Sequence, residues 1–175
     1  MNSQVTLIPL TENRIAQDYK MIQKNEAYLE SFGEGYPNIK NTNDYFLYLL
    51  RIYGDFQNLE LKRFTICYDN THCGQIGLHS FCIENFTCQA EIFYWVDEQF
   101  QGKGIVTKAC QSLLKHAFEV LGLDLLIIHC LVENVKSANV ALRCGFTYEG
   151  ISNLDNTQYK KFIKTVEQYR IEQKK

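Results

Sequence analysis

A single domain of mixed α/β class spanning residues 1–175 is predicted by three observations on the sequence. Strand-like and helix-like segments follow one another as strand, helices, three strands, helix, strand, helix and two strands. The stretch Leu125–Leu131 is almost wholly apolar and β-rich, the pattern of a central strand buried on both faces. Between residues 104 and 121, Val106, Cys110, Leu113, Ala117 and Leu121 form the apolar stripe of a strong amphipathic helix. At 175 residues the chain is long enough to bury a core without staples.

Each element has its local reason. Gln4–Leu10 alternates as a first strand, after which Thr11 or Asn13 caps a segment carrying Ile15, Tyr19, Ile22, Ala27 and Leu29 at helical spacing. Ser31–Pro37 is rich in Gly and Pro and reads as a loop. Asn43–Tyr53 predicts a second helix with Phe46, Leu47, Leu50 and Tyr53 on one face. Arg63–Tyr68, a turn at Asp69-Asn70-Thr71 and Cys73–Ile83 predict a hairpin, and Cys88–Val96 a third antiparallel strand. The helix from Gly104 ends at Gly122, which suits a left-handed C-terminal position. Lys136–Arg143 is a short helix closed by Cys144-Gly145, and Phe146–Ile151 and Phe162–Ile171 read as closing strands. No internal repeat, linker or low-complexity tract interrupts the pattern.

Composition narrows the function. A net charge of −2 gives no global attraction to nucleic acid. No apolar run approaches bilayer length, Met1–Leu10 lacks the pattern of a secretory signal, and a cytoplasmic setting is expected. The seven cysteines are odd in number, form no C-x-x-C pair and mostly sit in apolar runs, which reads as buried reduced thiols. His79 and Cys82 differ by an odd number and would face opposite sides of a strand, so no metal site is expected there or at His72-Cys73.

Two motifs carry chemistry. Gln99-Phe100-Gln101-Gly102-Lys103-Gly104-Ile105 follows a strand and opens the strong helix, where backbone N–H groups can cradle a phosphate. Neither a dinucleotide fingerprint nor a Walker loop fits, because no third glycine and no Gly-Lys-Ser/Thr follow. Asn134-Val-Lys-Ser137-Ala-Asn139 sets amide and hydroxyl side chains at the end of the next strand. Glycines there also suit strand termination and close helix–sheet packing, and Asn134 with Ser137 also suits a helix cap.

Gln99-x-x-Gly102-x-Gly104, flanked by Ala90–Val96, Glu133-Asn134-x-x-Ser137, Gly145-Phe146 and Glu149-Gly150, resembles the cofactor loop and flanks of the GCN5-related N-acetyltransferase (GNAT) family. The flanks are similar to its RimJ/RimL branch of ribosomal-protein N-terminal acetyltransferases. The resemblance implies a central, mostly antiparallel sheet splayed between strands 4 and 5, with flanking helices. It implies transfer of acetyl from acetyl-CoA to a primary amine, first of all the N-terminal α-amine of a protein or peptide. Acetylation of a polyamine or other small amine, or a non-catalytic acetyl-CoA-binding regulatory domain, remains open, as does a homodimer. By the same resemblance Trp95, Val96, Gln101, Gly102, Lys103, Gly104, Ile105, Val106, Thr107, Asn134, Ser137 and Asn139 bind the acetyl donor, and no metal is needed.

Acetyl transfer needs a neutral amine, donors for the oxyanion and a hydrogen bond for the leaving thiolate. A backbone N–H near Val96 can serve the oxyanion. Relatives often place a Tyr seven positions after the Asn, but that position here is Ala141, which shifts the thiolate role to Ser137. Glu91 is the candidate base: Phe93 and Trp95 share its strand face, and apolar neighbours would raise its pKa. The alternative for Glu91 is that it pairs with a lysine or caps the sheet surface. The Glu that the branch offers before its last strand is replaced here by Asp155-Asn156, and Phe93 stands where relatives carry Gly.

Overall fold

The computed structural model describes residues 4–31 and 39–174. Strands β1 (Val5–Pro9), β2 (Arg63–Tyr68), β3 (Thr71–Glu84), β4 (Thr87–Val96), β5 (Leu125–Leu131), β6 (Thr147–Leu154) and β7 (Thr157–Thr165) form a seven-stranded sheet in the order β1-β2-β3-β4-β5-β7-β6. The sheet is mostly antiparallel, with β4 and β5 running parallel. Helices α1 (Ile15–Lys24), α2 (Glu26–Glu30), α3 (Thr42–Tyr53), α4 (Phe56–Lys62), α5 (Ile105–Lys115), α6 (Val135–Arg143) and α7 (Val166–Glu172) flank it. No described helix is long and apolar enough to cross a membrane. Beyond Ser31, the loop expected at 31–37 lies outside the described residues. Two compact units are distinguished, Met1–Gly77 with Tyr94–Ala109, and Leu78–Phe93 with Cys110–Lys175.

In the first unit a core of Leu10, Ile15, Tyr19, Ile22, Leu29, Tyr45, Leu49, Tyr53, Leu59 and Trp95 surrounds a buried polar knot. Tyr45 Oη donates to Asp18 Oδ2 at 2.5 Å, and Arg63 Nη2 donates to Tyr45 Oη at 3.1 Å. Gln75 bridges Arg63 and Asp18 and accepts from Trp95 Nε1 at 3.2 Å. Asp18 and Arg63 are almost fully buried, so each charge depends on the other's network for its place in the interior. The buried residues of α3 are Tyr45, Leu49 and Tyr53; Tyr53 lies on the expected face and Phe46 packs against the core, whereas Leu47 is 52% exposed. The Tyr45 hydroxyl is satisfied inside by Asp18, which gives a polar-tipped residue a place in the core.

The segment after β1 departs from expectation in two ways. A 3-10 turn, Glu12–Arg14, precedes α1, and Thr11 makes no side-chain cap bond. The helix then breaks at Asn25, whose Nδ2 donates to Met21 O at 3.0 Å and to Asp97 Oδ2 at 3.4 Å. Where β3 passes the end of β4, Asp97 N donates to Cys73 O at 2.7 Å. Gly74 permits this approach, since a Cβ there would lie 2.2 Å from Trp95 O.

The second unit holds the ends of β3 and β4 nearest their turn, most of α5, and β5 onwards. Asn85-Phe86 and Asp155-Asn156 turn with consecutive positive φ, as Asp69-Asn70 does in the first unit, which is the conformation of two-residue hairpin loops. In β5, Leu126, Ile128 and Cys130 are buried while Leu125, Ile127, His129 and Leu131 are half-buried, so the strand is not enclosed on both faces. Helix α5 passes into a π-helical turn over His116–Val120 before Gly122, at φ 67. The last expected strand stops at Thr165, which caps α7 through a reciprocal box with Gln168. Lys164 is wholly buried and donates to Cys144 O at 2.8 Å and to Glu172 Oε2 at 2.6 Å, tying α7 to the end of α6. The described cysteines are all free thiols.

Asp97 fixes the turn that follows β4. Its side chain accepts from Lys24 Nζ at 2.6 Å, from Gln99 N at 3.1 Å and from Gln99 Nε2 at 3.2 Å. Burial alone would push this carboxyl up, but the hydrogen bonds from Lys24, Gln99 and Asn25 outweigh it and hold the pKa below the ordinary value. The resulting stabilisation is present above the unfolded Asp pKa of about 3.9 and is lost as pH falls through the folded value. Asp97→Asn is expected to lower stability at pH 7 by about 1–3 kcal/mol. The difference in urea midpoint from the unmodified chain should narrow towards about pH 3; a pH-independent difference would contradict this.

Candidate functional site

In the first unit, the turn after β4 becomes a short 3-10 segment, Glu98–Phe100, and then the glycine loop. Gly102 and Gly104 have φ of 73 and 71, and a Cβ at either would meet nothing within 4 Å. The glycines therefore answer a backbone conformation and not a crowded interior, and the space beside them is open. The helical ladder starts with Lys108 N donating to Gly104 O at 3.2 Å. By helix geometry the N–H groups of Ile105 and Val106 have no intrahelical acceptor, and they sit at the positive end of the α5 dipole.

Lys103 is held over this loop by aromatic faces, with its Nζ 5.0 Å from the Phe100 ring centre and 5.7 Å from that of Tyr68. The side chain of Ile105 is buried, Val106 and Thr107 are half-buried, and Gln101 is half-buried on the approach. Trp95 and Val96 are also buried, and the Trp95 indole is engaged with Gln75. These two residues, like Ile105, can offer a ligand their backbone groups only. The expectation that Trp95 shares a cleft face with Glu91 is corrected here: its ring belongs to the first-unit core.

In the second unit, the parallel ladder pairs Gln89, Ala90 and Glu91 with Leu125, Leu126 and Ile127. Both strands run on from there, β4 towards Phe93 and β5 to Leu131. Glu91 Oε1 is hydrogen-bonded to His129 Nδ1, a residue two beyond the Ile127 partner and on the same strand face. The His129 ring meets the Tyr159 edge at 6.4 Å, and His79 lies against Phe93 at 5.8 Å. Burial pushes the Glu91 carboxyl up, but the His129 hydrogen bond and the charges of His129 and His79 outweigh it and leave the pKa lowered. That reverses the expected upward shift and replaces the expected lysine alternative with an imidazole.

At the start of α6, Asn134 Oδ1 accepts from Ser137 N at 3.0 Å, so the cap reading of this motif holds. The half-buried Ser137 side chain also bonds the Cys130 thiol, tempering the upward push of burial on that group. A serine hydroxyl beside sulfur is thus already present at this position. Asn139 is exposed, and Ala141 is fully buried.

His129, Lys24 and Asp97 were not singled out by the sequence. For His129 a signal exists, since it is the one polar residue in an otherwise apolar strand. Lys24 and Asp97 meet only through tertiary folding, 73 positions apart.

The acetyltransferase (GNAT) domain family model matches residues 4–147. The chain is 31% identical over 150 residues to the ribosomal-protein-serine acetyltransferase of Escherichia coli (strain K12), covering 86% of this chain and 83% of that protein. It is 41% identical over 100 residues to a Bacillus subtilis (strain 168) protein provisionally assigned as the ribosomal N-acetyltransferase YdaF, covering 57% of this chain and about half, 52%, of that protein. A crystal structure of the microcin C7 self-immunity acetyltransferase MccE with acetyl-CoA and AMP matches with a TM-score of 0.76 at 28% identity, covering 93% of this chain and 92% of that one. With the family model spanning most of its length and its glycine turn opening α5, the chain belongs to the GNAT family of acetyltransferases.

Proposed function

We propose that this chain transfers the acetyl group of acetyl-CoA to the N-terminal α-amine of a protein or peptide. The observation that carries the donor half is the open glycine turn at the head of α5. Gln101, Gly102, Lys103, Gly104, Ile105, Val106 and Thr107 supply the pyrophosphate site, chiefly through N–H groups, with the Lys103 ammonium adding charge. Backbone groups of Trp95 and Val96 meet the pantetheine amides, and a Val96 N–H serves the oxyanion. Asn134 and Asn139 complete the donor contacts from α6. Ser137 hydrogen-bonds the thiolate as it leaves, and Glu91 contributes its carboxylate on the acceptor side, where it is bonded to His129.

The acceptor half rests on the relatives and on proton chemistry. The E. coli relative is a ribosomal-protein-serine acetyltransferase. An α-amine with a pKa near 8 is already about a tenth neutral at pH 7, whereas an alkyl amine near 10.4 demands a much stronger base. Glu91, held below its ordinary value, is not such a base. A ribosomal-type acceptor and free thiols fit a cytoplasmic setting.

Gly104→Val is expected to weaken coenzyme A binding at least about tenfold by calorimetry, because the side chain enters the phosphate space and strains a left-handed position. Unchanged affinity in a variant with unchanged circular dichroism would remove the donor site from this loop. With acetyl-CoA as donor, kcat/KM for a Ser- or Ala-initiated peptide should exceed that for spermidine at the same pH. Equal or faster turnover of spermidine would assign the chain to small-amine acetylation instead.

A further inference from the structure

We infer that His129 Nε2 is the atom that takes the proton from the acceptor amine, with Glu91 as its positioning carboxylate. The inference rests on the acetyl-transfer reading above and deepens it at the acceptor side. It starts from placement. Glu91 is the β4 member of the last parallel pair, and His129 lies two residues beyond its β5 partner, on the half-buried face. Both side chains keep access to solvent, 14% for His129 and 21% for Glu91.

The hydrogen bond decides which nitrogen is available. An ionised carboxylate only accepts, so the Glu91 contact holds a proton on Nδ1, and in the neutral form of the ring the lone pair that can take a proton is then on Nε2. The lowered Glu91 pKa is consistent with that ionised partner. No described residue hydrogen-bonds Nε2. A purely structural histidine normally satisfies both nitrogens when enclosed; this one has a fixed side and an open side.

The charged and titratable groups around the pair come from three other strands. His79 on β3 faces Glu91, with its own Nδ1 2.7 Å from Ser80 Oγ. On β7, Tyr159 presents its ring to His129, and Lys161, the register partner of His129, is paired with Glu149 of β6 at 2.7 Å. The Lys161 charge is therefore matched locally, and Glu91 is the anion bonded to the imidazole.

The step balances without a further reagent. The amine nitrogen lone pair forms the C–N bond to the thioester carbonyl carbon, and the C–S bond breaks with its electron pair on sulfur. One amine proton passes to His129 Nε2 and then to solvent, and the thiolate gains a proton from water to give coenzyme A. Glu91 balances the positive charge on the imidazolium during transfer and acts only through His129.

The test uses the full chain with acetyl-CoA and a Ser-initiated peptide, reading thiol release. His129→Ala should lower kcat/KM by about 10²-fold at pH 7 with KM for acetyl-CoA nearly unchanged, and added imidazole should restore turnover. His129→Gln, which can still bond Glu91, should show the same loss, guarding against a folding defect. Glu91→Gln should lose less, about tenfold, without imidazole rescue. Wild-type kcat/KM in His129→Gln across about pH 6 to 9, or a loss that imidazole does not restore, overturns the inference alone. If the unmodified chain releases no coenzyme A with any amine, the acetyl-transfer reading fails first and takes this inference with it.

Discussion

The parallel ladder between β4 and β5 is three residue pairs long, and the placement of Glu91 beside His129 depends on where it stops. Its start is clamped by Asp124, which accepts from Cys88 N through Oδ2 and donates its own N–H to Cys88 O, both at 2.8 Å. Its end is Glu91 opposite Ile127. Beyond that pair both strands continue, β4 to Val96 and β5 to Leu131, without extending the ladder. The same end point sets Glu91 within reach of His129.

In the first unit the proposed donor site rests on a turn and the head of a helix. A turn with two left-handed glycines points N–H groups out of the head of α5, and Lys103 is steadied over aromatic faces beside it. Such a turn must not drift, and Asp97 holds it by accepting from the chain immediately after it and from Lys24 of α1. In each unit one carboxylate fixes its neighbour, Asp97 the loop and Glu91 the His129 ring.

Most of the strands were legible because their signals are local. Asp69-Asn70 and Asp155-Asn156 are turn formers between alternating runs, and both adopt consecutive positive φ. Gly102 and Gly104 were legible for the same reason. What escaped is set by distant partners. Tyr45 of α3 is buried with its hydroxyl on Asp18, although a tyrosine reads as indifferent in a helical pattern. The C-terminal helix was hidden by β-like residues, and its readable sign was the Thr165-x-x-Gln168 box. The direction of the Glu91 shift needed His129, which lies 38 positions away and meets it only across the β4–β5 pairing. A carboxylate among apolar neighbours was legible; the imidazole that reverses its titration was not.

The central claim is that the head of α5 is a phosphate-binding site for the acetyl donor. Amide hydrogen exchange across residues 101–107, followed with and without saturating coenzyme A, tests it most directly. Exchange should slow at Gly104, Ile105 and Val106 when coenzyme A is added, because those N–H groups gain acceptors they otherwise lack within the helix. Unaltered exchange at these three amides would contradict the account.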